Sequence, residues 1–429
     1  MLKRIDLRGK SLDLAAFLPS SAQTQNLPID QVRAIIDQVR TGGDEALRDL
    51  TQKYDGTNLE ELEVNQEQIT DAYNSVSAGF REAIASSAEA IIKYQETQLS
   101  GHKALEDRGL SVETFKKPVQ SAGCYVPGGL AAYPSTLLMT ALVARVAGVE
   151  RVVVTVPPSG KEGVSIETLA AAHIAKVDAV YQIGGAQAIA ALAYGTETIN
   201  PVDVIVGPGN IYVSLAKQEV SGKVGVPASF AGPSEIMVIA DSTAKARFVA
   251  VDLAVQAEHG PGGKSWLLTT DENIAREVEN ELENLIKNSV RSESIKATFE
   301  SGGYCVLLDN LENAIEIVDT IAPEHLQIMT EKADDIARKI SNAGAIFCGD
   351  WSPASLGDYM AGPSHVLPTS GTARFAGALT VNDFMRDMHI VKSTREALQR
   401  LGPHIINFAD AEGLQSHADS VRLRGIDAE

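Results

Sequence analysis

The chain has 429 residues, 44% apolar and 22% charged, and its 56 acidic against 37 basic side chains give a formal charge of −19. That length exceeds what one hydrophobic core serves, about 250–300 residues, so two or more domains are expected. The acidic balance and the lack of any Lys/Arg-rich run exclude nucleic acid as a partner, no apolar run is long enough for a membrane span, and a soluble, cytoplasmic protein is expected.

Through about residue 110 the chain reads as polar and helical. Thr41-Gly42-Gly43 separates the apolar pattern of Val32–Val39 from that of Leu47–Leu50, and a long helical stretch is predicted from Gln66 to about Leu99. After Lys117-Pro118 short β-branched runs alternate with alanine-rich helical segments. Val152–Val156, Ala179–Gln182, Val204–Val206 and Ile236–Ala240 predict buried strands, with helices near Leu137–Ala147, Ile166–Lys176, Ala186–Ala193 and Tyr212–Glu219. The alternation restarts with a helix across Ala246–Glu258, followed by strands at Trp266–Thr269, Tyr304–Leu308, Leu326–Met329 and Ala345–Phe347. The fold class is therefore α/β, with two doubly wound, Rossmann-like parallel sheets and small helical arms at the N- and C-termini. Beyond Thr380 the chain turns polar and ends in a helical pattern, Pro403–His417, too small for its own core. The three cysteines, Cys124, Cys305 and Cys348, form no CxxC pair, and the latter two read as core residues.

No G-x-G-x-x-G motif follows a predicted strand. Three other glycine turns do: Pro127-Gly128-Gly129, Gly184-Gly185-Ala186-Gln187 and Gly207-Pro208-Gly209-Asn210. Each leads toward a helix, where backbone N–H groups can cradle an anion.

Of the eight histidines, His102, His173, His389 and His404 lack polar companions and read as surface or core residues. The other four sit among groups that bind metals or move protons. Gln256 and His259 are three apart at a helix end and share a face; Glu324 and His325 open a strand; Asp358 and His365 lie in a glycine-rich stretch; Glu412 and His417 lie in the last helical pattern. Imidazole and carboxylate donors without thiolate suit catalytic rather than structural zinc, and HExxH is absent. A Glu-His pair apart from the metal ligands suits acid–base work.

The segments GCYVPGGLAAYPSTLLM, IGGAQAIAALAYGTETI, VGPGNIYV, AGPSEIMVIAD, QAEHGP, APEHL, GDYMAGPSHVLPTSGTARF and AEGLQSHADSVRLR resemble, in order, the histidinol dehydrogenase family. The resemblance runs from about Ile29 to Arg424. It implies an NAD-dependent alcohol and aldehyde oxidoreductase of histidine biosynthesis, oxidising L-histidinol via L-histidinal to L-histidine in two hydride transfers. It implies one Zn²⁺ per site held by Gln256, His259, Asp358 and His417, the last from the partner subunit of a homodimer with shared sites. It implies Glu324 and His325 as the acid–base pair, and substrate contacts from Ser234, His365 and Glu412 together with Gln256, His259, His325, Asp358 and His417. Tyr125, Gln187 and Asn210 match its dinucleotide contacts. It also implies an N-terminal arm over 1–27, a first Rossmann-like domain from 28–111 and 235–380, a second, NAD-binding one from 112–234, and a C-terminal arm over 381–429.

Chemistry agrees with that division. A zinc ion with one carboxylate and three neutral ligands can accept two further donors, and histidinol offers an imidazole nitrogen and an amine. The chain departs from the family pattern at Leu130, Ile211, Pro227 and Ser364. The alternative reading is a related zinc/NAD dehydrogenase of another amino alcohol or polyol.

Overall fold

The computed structural model describes residues 2–10, 27–128, 132–159, 163–227, 232–260 and 262–425. They form two compact units: residues 1–98 with 119–384, and residues 99–118 with 385–429. In chain order the elements are β1 (Lys3–Asp6), α1 (Ile29–Asp55), β2 (Glu63–Val64), α2 (Gln66–Ser75), α3 (Ala78–Glu96), β3 (Lys103–Asp107), β4 (Leu110–Pro118), β5 (Ser121–Tyr125) and α4 (Pro134–Ala147). Next come β6 (Arg151–Thr155), α5 (Ile166–Ala175), β7 (Ala179–Tyr181), α6 (Gly185–Tyr194), β8 (Val204–Val206), α7 (Ile211–Val220), β9 (Glu235–Ala240), α8 (Ala246–Ala257), β10 (Lys264–Thr269), α9 (Glu272–Asn288) and α10 (Ser292–Gly302). The rest are β11 (Gly303–Leu307), α11 (Leu311–Ile321), β12 (His325–Met329), α12 (Ala333–Ala337), β13 (Ala345–Cys348), α13 (Ala354–Tyr359), β14 (Met385–Ser393), α14 (Arg395–Ala411) and α15 (Gln415–Arg422).

The first unit holds two sheets. One has five strands in the order β2-β7-β6-β5-β8, and only β2 runs antiparallel to its neighbour. On one of its faces Tyr125, Val153, Tyr181 and Ile205 pack against apolar residues of α1, α6 and α7. The other sheet has six strands in the order β1-β11-β10-β9-β12-β13, all parallel. Both its faces are buried: Ile236, Val238 and Leu267 against α8–α10, and Met237, Ile239 and Leu326 against α11 and α12. Strands covered on both sides read as unbroken apolar runs, which is why they stand out in the sequence.

The predicted turn at Thr41-Gly42-Gly43 is a kink inside α1, at Gly43 (φ +53°, ψ −134°), where Glu197 receives the Asp44 N–H at 2.8 Å. The predicted helix from Gln66 is two helices, and the first starts with a capping box: Asn65 accepts the Gln68 N–H at 2.8 Å while Gln68 accepts the Asn65 N–H at 3.2 Å.

The N-terminal stretch is not all helix. Lys3–Asp6, expected within an arm, is the edge strand of the six-stranded sheet, charged and only four residues long, so it carries no periodic signal. Helices α1–α3, expected to group with 235–380, pack on α4–α7 around the five-stranded sheet, and Ser87 of α3 also donates to the Tyr359 carbonyl at 2.6 Å. Cys124 and Cys305 are buried as core residues, but Cys348 is only partly buried, near the end of β13.

The second unit joins two distant stretches. β3 and β4 form an antiparallel ribbon, and β14 adds antiparallel to β4 over its full length, from Met385↔Pro118 to Ser393↔Leu110. The helix expected at Pro403–His417 begins instead at Arg395, carries Pro403 internally, and is followed by a separate α15. A small core of Ile406, Ala409, Ala418 and Val421 joins these two helices. Among the described residues no helix is long and apolar enough to cross a membrane.

Candidate active site

The chemistry-bearing residues of the six-stranded sheet sit at its amino edge. Glu235 opens β9 and His325 opens the neighbouring β12, with His325 in register with Ile236. The main chain of Glu235 orients both members of the Glu-His pair. Its N–H donates to Glu324 Oε2 at 2.9 Å, and its carbonyl lies 3.2 Å from His325 Nδ1. With the Nδ1 proton on that carbonyl, Nε2 is the ring atom left for chemistry. Nε2 is buried without a hydrogen-bond partner and faces Asp358 Oδ1 across 3.6 Å.

Helix ends deliver the remaining groups to this edge. Gln256 is buried in the last turn of α8, and His259 follows the helix. Ser234 Oγ contacts His259 Nδ1 at 3.1 Å, leaving Nε2 of that ring as the outward donor. Asp358 occupies the short α13, its carboxylate 16% exposed. His365 pairs through Nε2 with Thr136 Oγ1 at 2.9 Å. Ser234, Glu324 and His365 line a cavity of about 400 Å³ that also takes in Gly207, Pro208 and Gly209 of the third glycine turn.

Electrostatics at the edge are dominated by carboxylates. Burial alone would strip His325 of its proton, but Glu324 and Asp358 outweigh it and raise its pKa to about 10. Burial pushes Asp358 up, yet His325, His365 and His259 prevail and hold it below its ordinary value. Burial lowers the His365 pKa. Glu235, buried near Glu324, is pushed up to about 7 despite Lys264 Nζ at 4.0 Å.

The residues matched to dinucleotide contacts converge elsewhere, at the carboxyl edge of the five-stranded sheet. Tyr125, Gly128, Gln187 and Asn210 line one cavity of about 620 Å³. The edge lies where strand order reverses between β5 and β8, the usual ligand crevice of such sheets. Gly207 has φ +109°, and a Cβ there would collide with the Tyr125 carbonyl, so the turn requires glycine. Gly184 opens α6 without a side-chain cap, which leaves its amides open to an anion, although Gly185 N–H already donates to the Tyr125 hydroxyl at 3.2 Å. Asn210 has a structural task as well: its side-chain oxygen accepts the Tyr212 and Val213 N–H groups at 3.0 and 3.2 Å, capping α7.

Glu412 and His417 belong to the second unit. Glu412 caps the C-terminus of α14 and His417 lies in α15, both exposed. Among the described residues no three His, Cys, Asp or Glu side chains gather as a metal cluster. Gln256, His259 and Asp358 offer an amide, an imidazole and a carboxylate. They form an oxygen- and nitrogen-donor set suited to a borderline cation such as zinc, one ligand short of a closed shell. Of the four departures, Ser364 is buried and donates to the Met139 carbonyl at 3.0 Å, Ile211 is exposed at the start of α7, and Pro227 lines the smaller cavity. Leu130 and Gly129 lie outside the described residues.

Sequence reasoning missed Glu235, Thr136 and Lys217. Glu235 acts through its main chain, which no residue pattern reveals. Thr136 is one of several hydroxyls in an apolar helix. Lys217 is buried against the third glycine turn, its ammonium donating to the Gly207 carbonyl at 2.6 Å, and burial lowers its pKa to about 8. A lone lysine in a helix with no other basic residue was the only sign.

Comparison with known proteins identifies one family over nearly the whole chain. The family described as Histidinol dehydrogenase matches residues 19–425. A histidinol dehydrogenase of Prochlorococcus marinus (strain MIT 9312) is 44% identical over 395 residues, covering 92% of this chain and 89% of the relative; one from Bacillus cereus is 44% identical, covering 92% and 91%. The crystal structure of histidinol dehydrogenase from Elizabethkingia anophelis superposes with a TM-score of 0.93 at 33% identity, over 99% of this chain and 98% of that one. The chain belongs to the histidinol dehydrogenase family.

Proposed function

We propose that the protein oxidises L-histidinol through L-histidinal to L-histidine, using NAD as hydride acceptor and one zinc ion per site. The observation that carries the reading is the amino edge of β9 and β12, where the buried Glu324–His325 pair, Ser234–His259, Asp358 and His365 come together. Gln256, His259 and Asp358 would hold the zinc, with His417 as fourth ligand. A bound zinc would supply a fixed Lewis-acid anchor for the imidazole and amine of the amino alcohol. NAD in the larger cavity would supply the acceptor for each hydride.

The chain's own residues do the proton work. With Asp358 neutralised by the cation it would hold, His325 loses one of the two carboxylates that raise its pKa. Its Nε2, with the partner nitrogen directed at the Glu235 carbonyl, is then free to take the proton of the substrate hydroxyl. Glu324, whose Oε2 is fixed by the Glu235 N–H and lies 3.6 Å from His325 Nδ1, orients and deprotonates the water that hydrates the aldehyde. Proton transfer of this kind is worth about 10²–10⁴ in rate. His365, steadied by Thr136, contacts a polar edge of the substrate.

A homodimer with shared sites follows the family likeness, with Glu412 and His417 crossing to the partner. Support comes from the apolar groups that the second unit leaves exposed: Leu105 (63%), Val391 (59%), Phe408 (73%) and Leu423 (87%).

The test is a spectrophotometric assay with limiting histidinol and excess NAD. Two NADH per histidinol, abolished by chelator and restored by Zn²⁺, is the expected result. One NADH, or full activity after verified metal removal, overturns it. Mixing inactive His259→Ala and His417→Ala subunits should regenerate activity; no recovery despite demonstrated exchange would place each site within one chain.

A further inference from the structure

We infer that Asp55, at the C-terminus of α1, is a cofactor-binding residue whose carboxylate accepts hydrogen bonds from a ribose diol of the bound dinucleotide. The inference rests on the reading of the larger cavity as the NAD site. Asp55 lines that cavity together with Tyr125, Gln187 and Asn210. Its Oδ2 is buried and has no hydrogen-bond partner among the described residues.

That position is unfavourable on every structural count. A carboxylate at the end of a 27-residue helix faces the negative pole of the helix dipole. Burial lifts its pKa to about 6, and nothing offsets the desolvation. Gly56, in the left-handed conformation (φ +69°), ends the helix, so Asp55 is not needed as its cap. A buried acceptor with no donor and no structural task is expected where a ligand supplies the donor.

The chemistry selects which part of a dinucleotide that is. An ionised carboxylate only accepts hydrogen bonds, so the pyrophosphate is excluded by like charge. A vicinal ribose diol presents two hydroxyl donors at adjacent carbons and matches the two oxygens of one carboxylate.

The experiment uses the full-length protein and titrates NAD into wild type, Asp55→Asn and Gln187→Ala, with thermal melting of each ligand-free protein. Asp55→Asn keeps the shape and removes the charge. It should weaken NAD binding about 10- to 100-fold, as expected for hydrogen bonds to a charged group, with histidinol affinity unchanged. It should melt no lower than wild type, because it relieves a buried charge. An NAD affinity within twofold of wild type, or a melting point several degrees lower, overturns the inference. Gln187→Ala separates the two levels. Weakened by Gln187→Ala but not by Asp55→Asn, NAD still occupies the cavity and only the role of Asp55 falls. Unaffected by either, the cavity is not the dinucleotide site and both readings fall.

Discussion

The two parallel sheets of the first unit are wound alike and used at opposite ends. With the edge strands β2, β1 and β13 set aside, the remaining four strands of each sheet, numbered in chain order, run third, second, first, fourth: β7-β6-β5-β8 in one, β11-β10-β9-β12 in the other. In the five-stranded sheet the candidate ligand residues lie at the carboxyl edge, the common arrangement. In the six-stranded sheet they lie at the amino edge. Helix polarity accounts for the difference. Crossover helices run antiparallel to the strands, so helix N-termini gather at the carboxyl edge and C-termini at the amino edge. The first favours anions such as a pyrophosphate, the second favours cations. The donors assigned to zinc, Gln256 and His259, sit where α8 ends, and Asp358 and Glu324 bring carboxylates to the same edge. One fold would thus offer two candidate ligand sites of opposite charge preference.

The sharpest way to break this contrast is at the amino edge. His325→Asn should lower kcat about 10³-fold while zinc content stays at wild-type level, because the ring faces Asp358 but is not counted among the ligands. Loss of metal in this variant would move His325 into the cation site.

A second test uses stability. Glu235 titrates near 7 in the folded protein against 4.5 when exposed, so between those values the unfolded chain gives up its proton first. Stability therefore falls as pH rises from about 4.5 to 7, by up to about 3 kcal/mol, and the penalty stays above that window. Glu235→Gln should melt higher than wild type at pH 8 and show no such gain at pH 4.5. Equal differences at both would mean that the carboxyl is not the source.

Ser234→Ala removes the partner of His259 Nδ1 and should weaken Zn²⁺ binding 10- to 100-fold in a calorimetric titration, while NAD affinity is unchanged. A change in NAD affinity as large as that for zinc would merge the two edges into one site. The smallest effect belongs to the opposite edge. Asn210→Ala loses the cap of α7 and should cost about 1 kcal/mol of stability, whereas Asn210→Asp keeps it. Equal melting points for the two variants would leave the cap without energetic weight.

Which parts could be read from the sequence follows from what each element buries. Strands such as Ile236–Ala240, covered on both faces, were legible as unbroken apolar runs, and the strand–helix alternation predicted the winding. β3, β4 and β14 were not, because their side chains are largely exposed or half-buried and show no in–out alternation. At the site, Glu324, His325, Gln256 and His259 declared themselves by residue type. The choice of edge did not, since strand direction relative to a motif emerges only once β9 and β12 are neighbours. Asp55 was hidden for a related reason: an acidic residue closing a polar helix looks like solvent-facing surface until a cavity is found beside it.

The pairing of β4 with β14 sets a timetable for biosynthesis. Residues 110–118 leave the ribosome long before residues 385–393, and until then the ribbon of β3 and β4 presents an open hydrogen-bonding flank. A nascent or truncated chain that stops short of Met385 keeps that flank exposed. Premature termination before the codon for Met385 should therefore yield aggregation rather than a merely inactive product.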